Sequence, residues 1–267
     1  MTQPLFLKLG GSLITDKTGV EAVRKDTLAR LAQEIAAARS KNPSMQLVLG
    51  HGSGSFGHVA GAKFGTRQGV RTSAEWEGFL GVSDAAARLN RLVVTSLLDA
   101  GVPAISLQPS ASAICDDGQI ISLAHNPLEK ALEAGLVPVV YGDVAFDRVR
   151  GGTIISTEEV LMFLAEKMRP SWFLLAGETP GVLDDNGRVV PLITARNFEE
   201  IAPAIGGSRG TDVTGGMASK VLAMLDFVQT YPHAGVRVFS GLEQDSLVQV
   251  LINPERPAGT ELRSTVS

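Results

Sequence analysis

The segment Gly50-His51-Gly52-Ser53-Gly54-Ser55-Phe56-Gly57-His58 follows directly on the apolar run Met45 to Leu49. A strand that empties into so bare a loop leaves main-chain N–H groups open to close approach, which is how backbone holds phosphate. His58, closing the loop, can donate from its ring, and beside a dianion it is biased toward its charged form. Three lysines have comparable settings. Lys8 precedes Gly10-Gly11-Ser12, Lys17 follows nine residues later across a turn, and Lys220 lies in the first turns of a helix entered through Thr214-Gly215-Gly216. An ammonium group beside a glycine-opened helix start adds its charge to N–H groups already suited to anions. Further glycine turns, Tyr141-Gly142-Asp143 and Ala176-Gly177-Glu178-Thr179-Pro180-Gly181-Val182, follow other apolar runs. One such turn means little; several at equivalent strand ends point to a ligand with several phosphates.

Gly52, Gly54 and Gly57 also spell G-x-G-x-x-G after a strand. The dinucleotide fingerprint requires in addition an acid about twenty positions on, at the end of a second strand. Glu75 and Glu77 fall near that distance, but in a run that reads as helix, and the loop follows the second strand rather than the first. Nicotinamide therefore ranks behind a phosphate cradle, and the Walker pattern is absent. Cys115 is the sole cysteine, which excludes an internal disulfide and a multi-cysteine zinc site, and it reads as a packing residue. His51 reads as loop structure; His125 and His233 are assigned nothing.

The elements that must position these groups alternate along the chain. Strands are expected at residues 4–9, 45–50, 103–107, 137–143, 171–177 and 236–241. Helices are expected at 24–41, at 126–135 with Asn126 as N-cap and Gly135 as stop, and at 156–168 with a Ser/Thr cap. Others are expected at 214–231 and 243–252. A long helical region from Ser73 to Ala100 is expected to break near Gly78 or Gly81. Buried-looking strands alternating with helices predict an α/β fold, a three-layer αβα sandwich with a largely parallel central sheet. A soft division near residue 170 separates two lobes of one domain. Apolar residues at 44% and charged residues at 19% fit a globular enzyme, and a net charge of −4 supplies no long-range field for nucleic acid or an acidic membrane. The N-terminus lacks a signal-peptide layout and no apolar run approaches membrane-spanning length, so a cytoplasmic setting is expected.

Taken together, Lys8 to Lys17, Gly52 to His58, the Val139-to-Asp147 segment and the Asp212-to-Lys220 segment resemble the amino acid kinase superfamily. Within it they are similar to the isopentenyl phosphate kinase family. The resemblance implies an acceptor-binding lobe over about 1–169 and an ATP-binding lobe over about 170–267. It implies phosphoryl transfer from ATP, with Mg²⁺, to isopentenyl phosphate in a homodimer. On that basis Lys8, Gly10, Gly11 and Ser12 hold the nucleotide phosphates, and Lys17 stabilises the transferring group. Gly52, Ser53, Gly57 and His58 cradle the acceptor phosphate, Gly142 and Asp143 flank it, and Gly216 and Lys220 hold ATP. Glu178 and Gly181 fall in the adenosine region. Trp76, Phe79, Leu80 and Val82 are placed to line a pocket for the acceptor's tail. A phosphate acceptor is already an oxyanion near neutral pH, so His58 suits a ligand role better than that of a proton remover.

Two departures stand out. Family members usually read Ser-Gly-Asp-Asp or Ser-Gly-Asp-Glu where this chain has Ser156-Thr157-Glu158-Glu159. They read Thr-Asp-Val-Asp-Gly-Val where it has Ala176 to Val182. The first puts Glu158 where an aspartate orients the catalytic lysines or the metal. Two other functions stay open at this point: a kinase for another phosphate or phosphonate such as fosfomycin, and a nucleotide-binding sensor without catalysis.

Overall fold

The computed structural model describes residues 3–16, 18–57, 65–205 and 216–264. Side-chain alternation along the first strand sorts the core into two. In β1 (Leu5–Leu9), Phe6 faces one side of the sheet and Leu7 and Leu9 the other, each at most 1% exposed. The same division runs through β2 (Leu47–His51), with Val48 opposite Leu47 and Leu49. Strands apolar on both faces must be covered on both, which is why they read as continuous hydrophobic runs and pair in parallel.

The remaining strands are β3 (Ala104–Ser106), β4 (Ile114–Asp116), β5 (Gln119–Ser122), β6 (Val137–Tyr141), β7 (Asp143–Asp147), β8 (Gly151–Ile155), β9 (Trp172–Gly177), β10 (Leu192–Ile193), β11 (Gly235–Ser240) and β12 (Thr260–Leu262). The large sheet has the order β10-β12-β11-β9-β1-β2-β6-β3. Every neighbouring pair in it is parallel except β11 with β12. The carboxyl ends of β1, β2, β6, β9 and β11 therefore share one rim, where ligands collect in open α/β sheets.

Helices cover both faces. On the side of Leu7 and Leu9 lie α1 (Gly11–Ile14) and α2 (Lys25–Lys41). The latter presents Leu28, Leu31, Ile35 and Ala38 as a single buried stripe. The same face takes α3 (Ser73–Asp99). The other face carries α4 (Asn126–Glu133), α5 (Thr157–Met168), α6 (Phe198–Ile205) and α7 (Gly216–Thr230), while α8 (Ser246–Ile252) returns to the first. A three-layer αβα sandwich with a largely parallel sheet is the observed architecture.

Three local expectations are corrected. The helix from Ser73 runs unbroken through Gly78 and Gly81 to Asp99. A mid-helix glycine costs about 1 kcal/mol, which the buried stripe Phe79, Val82, Ala86, Leu89, Val93 and Leu97 and a Thr72–Glu75 capping box outweigh. Asn126 lies inside α4 rather than capping it; His125 flanks the helix without a side-chain cap bond, and Gly135, at φ +75°, ends it as expected. The expected strand at 137–143 breaks at Gly142, and Asp143 begins β7 of a second, four-stranded sheet with order β5-β4-β7-β8. Cys115 in β4 is fully buried, and burial pushes its thiol up to about 11, in keeping with a packing role.

Candidate active site

The loops after β1 and β2 meet backbone to backbone. A Cβ on Gly11 would lie 2.4 Å from the Gly54 nitrogen, and one on Gly52 would lie 2.8 Å from the Gly11 nitrogen. Only glycine permits this contact. Gly54 adds a left-handed φ of +50°, and residues 54–57 then coil into a helical turn. The Gly10 N–H donates to the Ala176 carbonyl at 2.8 Å, tying the turn to β9. Thr15 accepts from the Ser55 N–H at 2.9 Å and donates to the Gly11 carbonyl at 2.8 Å. Thr15 and Val23 close a bridge around the loop that contains Lys17 in sequence.

Lys8 sits beside Gly50 and Leu175 in the sheet register. Its ammonium lies 3.0 Å from the Glu158 carboxylate, with side chains only 14% and 24% exposed. Glu158 is the second residue of α5, whose start is fixed by a reciprocal Ser156–Glu159 capping box. Burial alone would raise the Glu158 pKa, but Lys8 first and Lys220 second overcome it and hold the carboxyl below its ordinary range. One glutamate thus faces two lysines contributed by opposite halves of the chain.

These groups border a cavity of about 320 Å³ at the rim of the sheet, lined by Lys8, Gly10, Ser12, Glu158, Glu178 and Lys220, with Leu175, Met224, Val238 and Leu262 as an apolar wall. A polar end with two ammonium groups and an apolar end fit a ligand with phosphates at one end and a flat, weakly polar body at the other. Glu178 also pairs with Arg24 at 2.9 Å, bridging the β9 loop to the start of α2.

The structure gathers Lys8, Gly10, Gly11, Ser12, Gly52, Glu178 and Lys220 at this rim, with Ser53 and Gly57 in the adjoining turn. A Cβ on Gly57 would fall 2.2 Å from the Ser53 hydroxyl, and Gly216 opens α7 one turn before Lys220. Gly142 backs onto α5, where a Cβ would lie 3.1 Å from the Thr157 nitrogen. Asp143 is 1% exposed and its oxygens are occupied by the Ser83 hydroxyl and the Ser110 and Val144 N–H groups. It braces α3 rather than presenting a free carboxylate. Gly181 does not line the cavity; it packs where a Cβ would meet Thr260 Oγ1 at 2.7 Å. Lys17 and His58 lie outside the described residues.

Among the residues expected to line an apolar pocket, Trp76, Phe79 and Val82 join Val70, Val144 and Ile154 in a small separate cluster. Leu80 is corrected: it is 64% exposed, because it lies one residue off the buried stripe of α3. Phe146 from β7 was not anticipated. It stands 5.6 Å from Phe79 between ring centroids and is half exposed. His51, read as loop structure, is the buried last residue of β2. Arg24 and Thr157 were also missed, since one arginine before a helix and one threonine after a serine carry no pattern.

The Amino acid kinase family model matches residues 3–239. An isopentenyl phosphate kinase of Haloferax volcanii is 41% identical over 83% of this chain and 87% of its own length. Another, of Methanocaldococcus jannaschii, is 32% identical over 96% and 97%. A solved isopentenyl phosphate kinase structure superposes with TM-score 0.79 at 27% identity, covering 96% of this chain and 99% of that one. Matched by the family model over most of its length and by these relatives over most of theirs, the chain belongs to the amino acid kinase family, on its isopentenyl phosphate kinase branch.

Proposed function

We infer that the chain transfers the γ-phosphoryl group of ATP to isopentenyl phosphate, releasing ADP and isopentenyl diphosphate. The observation that carries the reading is Lys8, clamped by Glu158 opposite Lys220, on a cavity that opens beside the interlocked glycine loops. The relatives named for this substrate, matched over most of their length, support it.

In the reaction the bond from the γ-phosphorus to the β–γ bridging oxygen breaks, and one forms to an oxygen of the acceptor phosphate. The transition state is loose and spreads charge over the equatorial oxygens, so the protein's contribution is alignment and positive charge. We assign Lys8, Lys220 and the Gly10–Ser12 turn to the nucleotide phosphates, and the Gly52–Gly57 loop with His58 to the acceptor. Lys17 is assigned to the transferring group. On this assignment the acceptor is held by residues before about 170, and ATP by the lobe after 170 together with Lys8 and the Gly10–Ser12 turn that reach it from β1. Glu178 contributes through its bond to Arg24.

Mg²⁺ fits this site as a passenger on ATP. The two carboxylates on the cavity, Glu158 and Glu178, are each engaged by a cation, and no cluster of three metal-ligating side chains occurs among the described residues. When bound, the ion would neutralise phosphate charge. A homodimer in the cytoplasm completes the proposal; no helix among the described residues is long and apolar enough to cross a membrane. Purified chain supplied with ATP, Mg²⁺ and either isopentenyl phosphate or fosfomycin tests the reading through ADP release. Turnover confined to fosfomycin, or nucleotide binding without turnover, overturns it.

A further inference from the structure

Beneath the phosphate loop lies a buried polar chain that the reaction itself does not use. His51 is 1% exposed and Asn90, on α3, is 2% exposed. The His51 Nδ1 meets the Gly52 carbonyl at 3.2 Å and its Nε2 meets the Asn90 amide nitrogen at 3.1 Å. The Asn90 carbonyl oxygen in turn accepts from the Ser106 hydroxyl. A carbonyl can only accept, so Nδ1 must carry the proton; Nε2 is then bare and accepts from Asn90. The partners thus assign one neutral tautomer. The ring lies nearly flat on Tyr141, 5.5 Å between centroids and 13° between planes. Burial lowers the His51 pKa to about 4, with the Gly52 carbonyl opposing the shift and Lys8 adding to it.

His51 acts in a second direction through its main chain. Its carbonyl accepts from the Thr157 hydroxyl at 2.6 Å, and Thr157 is the first residue of α5, next to Glu158. We propose that His51 is a positioning residue, joining the acceptor-phosphate loop through its ring and the Glu158–Lys8 pair through its carbonyl. The inference rests on the kinase reading above.

The physical basis is the trans peptide between Gly52 and Ser53. Its C=O and N–H point to opposite sides. Holding the Gly52 carbonyl on the histidine side turns the Ser53 N–H the other way, and that N–H meets no acceptor among the described residues. An anion at the loop would meet an amide aimed in advance rather than one that must be ordered on binding. In the other direction, Thr157 anchors the first turn of α5 to the end of β2, and so fixes where Glu158 meets Lys8.

Substitutions separate the two branches. Asparagine carries its amide nitrogen near the place of Nδ1 and can keep the bond to Gly52; glutamine reaches toward Asn90 but loses the donor at Nδ1. His51→Gln should raise the KM for isopentenyl phosphate at least tenfold with the ATP KM within twofold, whereas His51→Asn should stay within about threefold for both. Thr157→Val, similar in shape without the hydroxyl, should lower kcat about tenfold with the isopentenyl phosphate KM little changed, and Thr157→Ser should restore it. Melting temperatures of all four are read alongside, because a merely structural role would make activity track stability in both pairs. Equal KM increases for the two His51 variants, or an unchanged kcat in Thr157→Val, overturn the proposal. If neither His51 variant folds, the Thr157 pair decides. The ring ¹⁵N shifts of His51 in the unsubstituted chain give a readout independent of the acceptor's identity. The Nδ1–H tautomer between pH 6 and 8 supports the proposal and the Nε2–H tautomer refutes it, whereas absent turnover in the unsubstituted chain refutes the kinase reading instead.

Discussion

Replacing Glu158 by glutamine keeps the side chain's volume and removes the one charge that Lys8 and Lys220 share. At 3.0 Å and an effective dielectric near 20, the Lys8–Glu158 attraction is about 5 kcal/mol before desolvation. After the cost of taking both groups partly out of water, a charge-assisted bond of this kind retains about 1.5–3 kcal/mol. Lys8, left with a neutral partner, is also repelled by Lys220 across the site that should receive the phosphates. If that energy serves to hold Lys8 in place for transfer, kcat should fall between about tenfold and a hundredfold, each factor of ten being about 1.4 kcal/mol. Glu158→Asp, which withdraws the carboxylate by one methylene, should fall between the two. Steady-state kcat and KM for both substrates, from ADP release, measure the effect, and the melting temperature verifies that the fold survives. A Glu158→Gln enzyme with kcat within threefold of the unsubstituted chain would refute the reasoning, since Lys8 would then need no clamp.

The buried neutral His51 should make the fold acid-sensitive. Its pKa is lowered from 6.5 to about 4, so between those values the unfolded chain binds a proton that the folded chain does not. Stability is therefore full above about pH 6.5 and is lost as pH falls toward 4, by on the order of 3 kcal/mol; urea midpoints at pH 7.5 and 4.5 should show the drop, and His51→Gln should blunt it. Gly11→Ala puts a methyl 2.4 Å from the Gly54 nitrogen; pushing the two loops apart should cost about 1–3 kcal/mol in thermal unfolding and weaken both substrates together. His58→Ala should depress acceptor turnover severely while ATP binding, followed by calorimetry, stays nearly intact. Lys17→Ala should lower kcat more than it raises either KM.

Much of this site is written in local pattern. Buried parallel strands are runs such as Leu5 to Leu9, and the glycine turns follow them at one rim because parallel neighbours end on the same side. The capped start of α5 is equally plain, since Ser156 and Glu159 satisfy each other within four residues. What did not show in the sequence depends on distant partners. Glu158 matters because β1 and α7 bring Lys8 and Lys220 to it. Asp143 has its carboxylate engaged by Ser83 and Ser110, and no spacing rule links those positions. His51 could not be told from a loop residue because its role comes from Asn90, thirty-nine positions away. The unbroken α3 misled for the opposite reason: local glycine propensity was overridden by a buried stripe that only tertiary packing creates. Short strands such as β4 and β10 offer too few residues for a period to emerge.

The central claim is a phosphoryl transfer between two phosphates gripped end to end. ³¹P NMR of the purified chain with ATP, Mg²⁺ and isopentenyl phosphate follows it atom by atom. The account predicts that the acceptor's monophosphate resonance gives way to the paired doublets of a diphosphate as ADP grows in at equal amounts. An unchanged monophosphate resonance, with ATP either intact or hydrolysed to free phosphate, would contradict it.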